Sequence, residues 1–109
     1  MARFEVKVKH RLTVSDAIDR LQTVLQKLQR GGVSQLNSFS YLWSGYLCNF
    51  TFTALGGRGS GQLTISDSEV VAAGELNGFA LSLARGELEN QLRTQLEEVL
   101  AGAGSDRRA

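Results

Sequence analysis

Proline is absent from all 109 residues, and cysteine, histidine and tryptophan occur once each. A lone Cys48 cannot close an internal disulfide, which agrees with a reducing compartment, and one histidine with one cysteine cannot supply the converging ligands of a metal site. No metal and no cofactor is expected. Charge of one sign is missing too: 12 basic residues against 11 acidic leave +1, which argues against a dedicated nucleic-acid binder. No stretch approaches the roughly 18 apolar residues that cross a bilayer. The opening MARFEVKVKH alternates and is charged where a secretion signal would be continuously apolar. The expectation is a cytoplasmic chain without a transmembrane segment. Hydrophobic residues make up 42 %, enough to bury one core without a disulfide to help it. Residues 1–101 therefore read as a single domain, and the polar, glycine-containing GAGSDRRA at 102–109 reads as a flexible tail.

What is present is periodicity. FEVKVKHR alternates, placing Phe4, Val6, Val8 and His10 on one face of a strand and Glu5, Lys7, Lys9 and Arg11 on the other. LTVSDAIDRLQTVLQKLQRGG then changes period: Val14, Ala17, Ile18, Leu21, Val24, Leu25 and Leu28 fall on one helical stripe. Thr13 or Ser15 caps the start, and Gly31 with Gly32 marks the stop. QLNSFSYLWSGYLCNFTFTAL reads as two strands joined at Ser44-Gly45. That turn sets Trp43 opposite Tyr46, Tyr41 opposite Cys48 and Phe39 opposite Phe50, with all six on one aromatic face beside Phe52. GGRGSG follows as a glycine loop. GQLTISDSEVVAAGEL then makes a second hairpin near Asp67-Ser68, pairing Ile65 with Val70 and Leu63 with Ala72. The last segment is one long helix with an apolar stripe from Leu81 to Leu100, capped by Asn77 or Ser82, and with surface ion pairs Arg85–Glu89 and Glu89–Arg93. The order is strand, helix, four strands, helix. One dry sheet face needs a cover, so the expected α+β fold is a curved antiparallel sheet with two helices on one side.

No catalytic constellation is legible. GGRGSG leads into a strand where a phosphate loop leads into a helix, and it lacks the P-loop lysine; Arg58 alone is a candidate anion contact. His10 has no visible orienting partner, and Cys48 sits inside a strand as a small core residue. The aromatic face offers candidate ligand-binding residues: Phe39, Tyr41, Trp43, Tyr46 and Phe50, with His10 at its border. Uncapped sheet edges leave a homodimer open.

Three segments carry a family resemblance: VKHRLTVSDAIDRL, with His10, Leu12, Thr13 and Ala17; WSGYLCNFTFTALG, with Trp43, Gly45, Phe50 and Gly56; and GQLTISDSEV, with Gly61. In this order, over residues 4 to 100, the chain resembles the polyhydroxyalkanoic acid system family of small bacterial proteins. It departs from that pattern at Leu76-Asn77, where such proteins usually have Leu-Pro. The resemblance implies a non-enzymatic accessory of storage-polyester granules that binds the granule surface or granule proteins. A sheet gripping a long terminal helix is also similar to lipid-binding helix-grip folds, which implies a small hydrophobic ligand as the alternative.

Overall fold

The computed structural model describes residues 2–31 and 36–106. Alternation in β1 (Ala2–Lys9) sends Phe4, Val6 and Val8 inward and Arg3, Glu5, Lys7 and Lys9 to the other face. Helix α1 (Val14–Gln29) starts at Thr13, whose hydroxyl accepts a hydrogen bond from the Asp16 amide at 3.1 Å. It stops where Gly31 takes φ 85°; Gly32 lies outside the described residues. Four strands follow as consecutive hairpins, β2 (Leu36–Ser44), β3 (Leu47–Ala54), β4 (Gly57–Ile65) and β5 (Glu69–Asn77). β1 returns to pair with β5, closing an antiparallel five-stranded sheet in the order β1-β5-β4-β3-β2.

The helices cover one face only. Beneath them lie Phe4, Val6, Val8, Cys48, Phe50, Phe52, Leu63, Ile65, Val70, Ala72 and Leu76, all buried. Each of the larger side chains contributes about 1.5–3 kcal/mol by leaving water, far more than any surface pair. The outer face is polar and held by side-chain rungs between strands: Ser38 to Thr53, Ser40 to Thr51, and Gln62 donating to Asn49.

Two turns differ from the sequence expectation. The first hairpin turns at Gly45-Tyr46, one residue later than expected, because the first central position of this turn needs positive φ and Gly45 supplies it at 63°. Partners move by two residues, so that Trp43 faces Cys48, Tyr41 faces Phe50 and Phe39 faces Phe52. A shift of two preserves which face each side chain occupies. Tyr46, however, leaves the aromatic face for the turn, where it is 65 % exposed.

The second difference is GGRGSG, which is strand from Gly57 onward. The chain reverses at Leu55-Gly56, and β4 begins at Gly57. Its glycines alternate onto the inner face, where the neighbouring strand lays phenyl rings across them. A Cβ on Gly59 would run into the Phe52 ring, and one on Gly61 would sit 2.9 Å from the Phe50 ring. Glycine is required there for close approach. The third hairpin pairs Ile65 with Val70 and Leu63 with Ala72, as the sequence indicates.

The long terminal helix is broken once. Gly78 at φ 119° turns the chain into α2 (Phe79–Leu83), and Ala84 interrupts it before α3 (Arg85–Asp106). Neither expected cap operates: Asn77 closes β5, and Ser82 lies inside α2 with its Oγ buried and unpartnered among the described residues. The break lets Leu81 close the end of the sheet at Gly57 while α3 follows β1. Residues 102–106, expected in the tail, continue α3; residues 107–109 lie outside the described part.

Candidate functional site

Helices α1 and α3 run against the same sheet face in opposite directions, because α3 follows the direction of β1 while α1 returns from its end. They meet where Leu21, Leu25, Leu96 and Leu100 are buried. Towards the C-terminus of α1 and the start of α3 the apolar stripes are only half covered, at Val24, Leu28, Leu88 and Leu92. Between them lies a cleft of about 1010 Å³. Its floor is Phe39, Phe50, Phe52, Leu63 and Ala72, and its walls are the leucines of the two helices. The rim carries Lys27 and Arg30 on the α1 side, and Glu87, Asn90 and Gln91 on the α3 side.

The sheet beneath the cleft is closely packed. Across β4 and β5 the inner-face positions are small where they could be large: Gly61 faces Gly74, and Leu63 faces Ala72. The Phe50 and Phe52 rings stack at 6.3 Å between centroids, and Phe50 stacks on Phe39 at 6.0 Å. These rings lie over the glycine positions and Ala72 is completely buried, so the half-covered part of the lining is Phe39 and the helix residues Val24, Leu28, Leu88 and Leu92.

Among the expected ligand-binding residues, Phe39 and Phe50 line this cleft, whereas Tyr41, Trp43, Tyr46 and His10 stand outside it. Tyr41 and Trp43 lie under α1 and are bridged by one side chain: the Trp43 indole donates to Gln22 Oε1 at 2.7 Å, and Gln22 Nε2 donates to the Tyr41 hydroxyl at 3.2 Å. This polar clasp holds α1 to the edge of the sheet. His10 is a corner fastener. Its Nε2 faces the Ser66 carbonyl at 2.9 Å and its Nδ1 accepts from the Leu12 amide at 3.1 Å, so the neutral ring carries its proton on Nε2. Both nitrogens are engaged in tying the β1–α1 corner to the β4–β5 turn.

Cys48 is fully buried opposite Trp43. Burial pushes its thiol above the ordinary value, with a backbone hydrogen bond opposing in part, so the group is neutral and shielded. Arg58, the candidate anion contact, is on the outer face in a shallow depression of about 640 Å³ shared with Asn37, Thr53 and Asn77. Among the described residues no group of three metal-binding side chains assembles, and no helix is long and apolar enough to cross a membrane. Among the described residues the charged groups of the cleft, Lys27, Arg30, Glu87 and Glu98, are exposed at its rim, so the chemistry of its interior is that of apolar burial.

No family model matches this chain, and no curated protein matches it. The crystal structure of TTHA0849 from Thermus thermophilus is similar over 93 % of each chain, with 10 % identity and a TM-score of 0.44.

Several lining residues were legible only as core. Leu28, Leu88 and Leu92 belong to stripes that sequence periodicity assigns to packing against the sheet, and periodicity has no term for how far apart two helices stand.

Proposed function

We propose that this chain is a non-catalytic binding protein that takes an elongated apolar ligand of the acyl type into the cleft between α1, α3 and the aromatic half of the sheet. The cleft itself carries the reading: about 1010 Å³ walled by leucine and phenylalanine is the size and lining of a small-molecule site. Lys27 and Arg30 at the rim suit a carboxylate or ester head left in water. Each methylene moved from water into the cleft is worth about 0.8 kcal/mol, or roughly fourfold in affinity. Fatty acids and 3-hydroxyacyl esters of graded length should therefore bind with affinity rising by about that factor per carbon until the cleft is full. Displacement of a fluorescent fatty acid measures it, with Leu92→Trp, which fills the cleft, expected to weaken binding roughly tenfold or more. Absence of saturable binding across the series would sink this reading.

The resemblance to the polyhydroxyalkanoic acid system family supports a second reading: an accessory protein that works in the cytoplasm at the surface of polyester granules. One observation favours it. Phe79 and Leu83, four residues apart on α2, are 83 % and 72 % exposed and form an apolar ridge at one end of the molecule. Fractionation of granule-forming cells should recover the protein with the granules, and Phe79→Ser with Leu83→Ser should release it; a wholly soluble distribution at native levels counts against this role.

A further inference from the structure

We infer that the free edge of the sheet, β2, is a self-association edge that pairs antiparallel with β2 of a second copy of this chain. The two-residue turn at Gly45-Tyr46 makes Ser44 and Leu47 a mutually hydrogen-bonded pair, and alternation from there directs the backbone groups of Leu42 and Ser40 toward β3. The N–H and C=O of Phe39, Tyr41 and Trp43 then point away from the sheet. Among the described residues no hydrogen bond reaches them.

Protein edges are ordinarily defended by charge, proline or a covering element. β2, reading LNSFSYLWS, has none of the first two, and among the described residues no element hydrogen-bonds to its outward backbone. The opposite edge of the same sheet has charges along β1 and side chains from α3 over its backbone. A neutral strand meets its own copy without repulsion, which is why the occupant proposed is a second chain. With the two-fold axis at Tyr41, Phe39 pairs with the partner's Trp43, and Ser40 lies opposite the partner's Leu42. That contact covers Leu42, which is 72 % exposed in the single chain. Self-complementary antiparallel pairing of this kind closes as a two-fold dimer.

Sedimentation equilibrium tests it. The wild-type chain should form a dimer, and Ser40→Lys with Leu42→Lys, both on the exposed outer face, should weaken dimerisation roughly tenfold or more by setting like charges across the joint. An unchanged circular dichroism spectrum and a cooperative unfolding transition establish that this variant is folded. Independently, Ser40→Cys with Leu42→Cys should give a covalent dimer on mild oxidation, because facing non-hydrogen-bonded residues lie about 4.5 Å apart between Cα atoms, within disulfide reach. A wild-type monomer throughout, a dimer indifferent to the paired lysines, or failure of the cysteine pair to cross-link overturns the proposal.

Discussion

The two sides of this sheet are finished differently. On the β1 side the inner face is mostly aliphatic beside Phe4, with Val6, Val8, Val70 and Leu76 at 6 % exposure or less, and the edge is closed by α3. Arg85 donates to the Arg3 carbonyl at 3.4 Å, Glu89 accepts from the Glu5 amide at 3.1 Å, and Arg93 donates to the Lys7 carbonyl at 3.3 Å. Spacings explain the match, since four helical residues rise about 6 Å and two strand residues about 6.8 Å. A helix lying parallel to an edge strand can therefore place every fourth side chain on every second peptide. On the β2 side the inner face is aromatic and half-covered at Phe39, Tyr41 and Trp43, the helices part into a cleft, and among the described residues no hydrogen bond closes the edge. One side is packed and closed, and the other is half-covered.

The largest test of this contrast is a pair of truncations. Leu76→Ala removes a side chain with no exposed surface from the closed side, and it should cost about 3 kcal/mol in urea denaturation, with the slope unchanged. Phe39→Ala removes a larger side chain from the cleft floor, but the space it vacates joins volume that is already open, so about 1–2 kcal/mol is expected. The ligand experiment should reverse the order, with Phe39→Ala weakening acyl binding and Leu76→Ala leaving it unchanged. Equal stability costs at the two positions would remove the distinction between a packed and an open side.

A smaller effect is expected from unsealing the closed edge. Arg85→Ala, Glu89→Ala and Arg93→Ala together remove three exposed hydrogen bonds to the β1 backbone, and a loss of about 1 kcal/mol follows from long, solvent-facing geometry. The sharper readout is hydrogen exchange at the Glu5 amide, which should quicken while amides paired between β4 and β5 keep their protection. If exchange at Glu5 is unaffected, the side chains of α3 do not close this edge.

How much of this could be read from residues alone depends on the kind of information each feature needs. Period decides which side chains share a face, and so the strands, the covered face and the pairing of Leu63 with Ala72 were all legible. The Gly45 turn moved by one residue because hairpin position rests on backbone φ at one glycine, but the two-residue shift it caused left the aromatic face in place apart from Tyr46. GGRGSG misled because glycine marks both turns and strands that lie under aromatic rings, and only the register with Phe50 and Phe52 separates the two. Arg85, Glu89 and Arg93 at every fourth position read as helix-surface pairs. Their reach to β1 was hidden because the same spacing serves a neighbouring strand, which only the tertiary arrangement reveals. The cleft was hidden for a related reason: two apolar stripes show that helices face a sheet, and the distance between the helices is a tertiary property that periodicity does not encode.

Arg58→Ala gives the smallest expected effect and the cleanest control. The residue is exposed on the outer face of β4, between Thr53 and Asn77 in the register, and its side chain contributes nothing to the layer under the helices. Its removal should change unfolding free energy by less than about 0.5 kcal/mol. Acyl affinity should also stay at the wild-type value, because the cleft opens on the opposite face. Should Arg58→Ala weaken acyl binding tenfold, the ligand's head would have to reach the depression beside Asn37 and Asn77. The functional side of the sheet would then be its polar face, since no path through the close-packed strands joins that depression to the cleft floor.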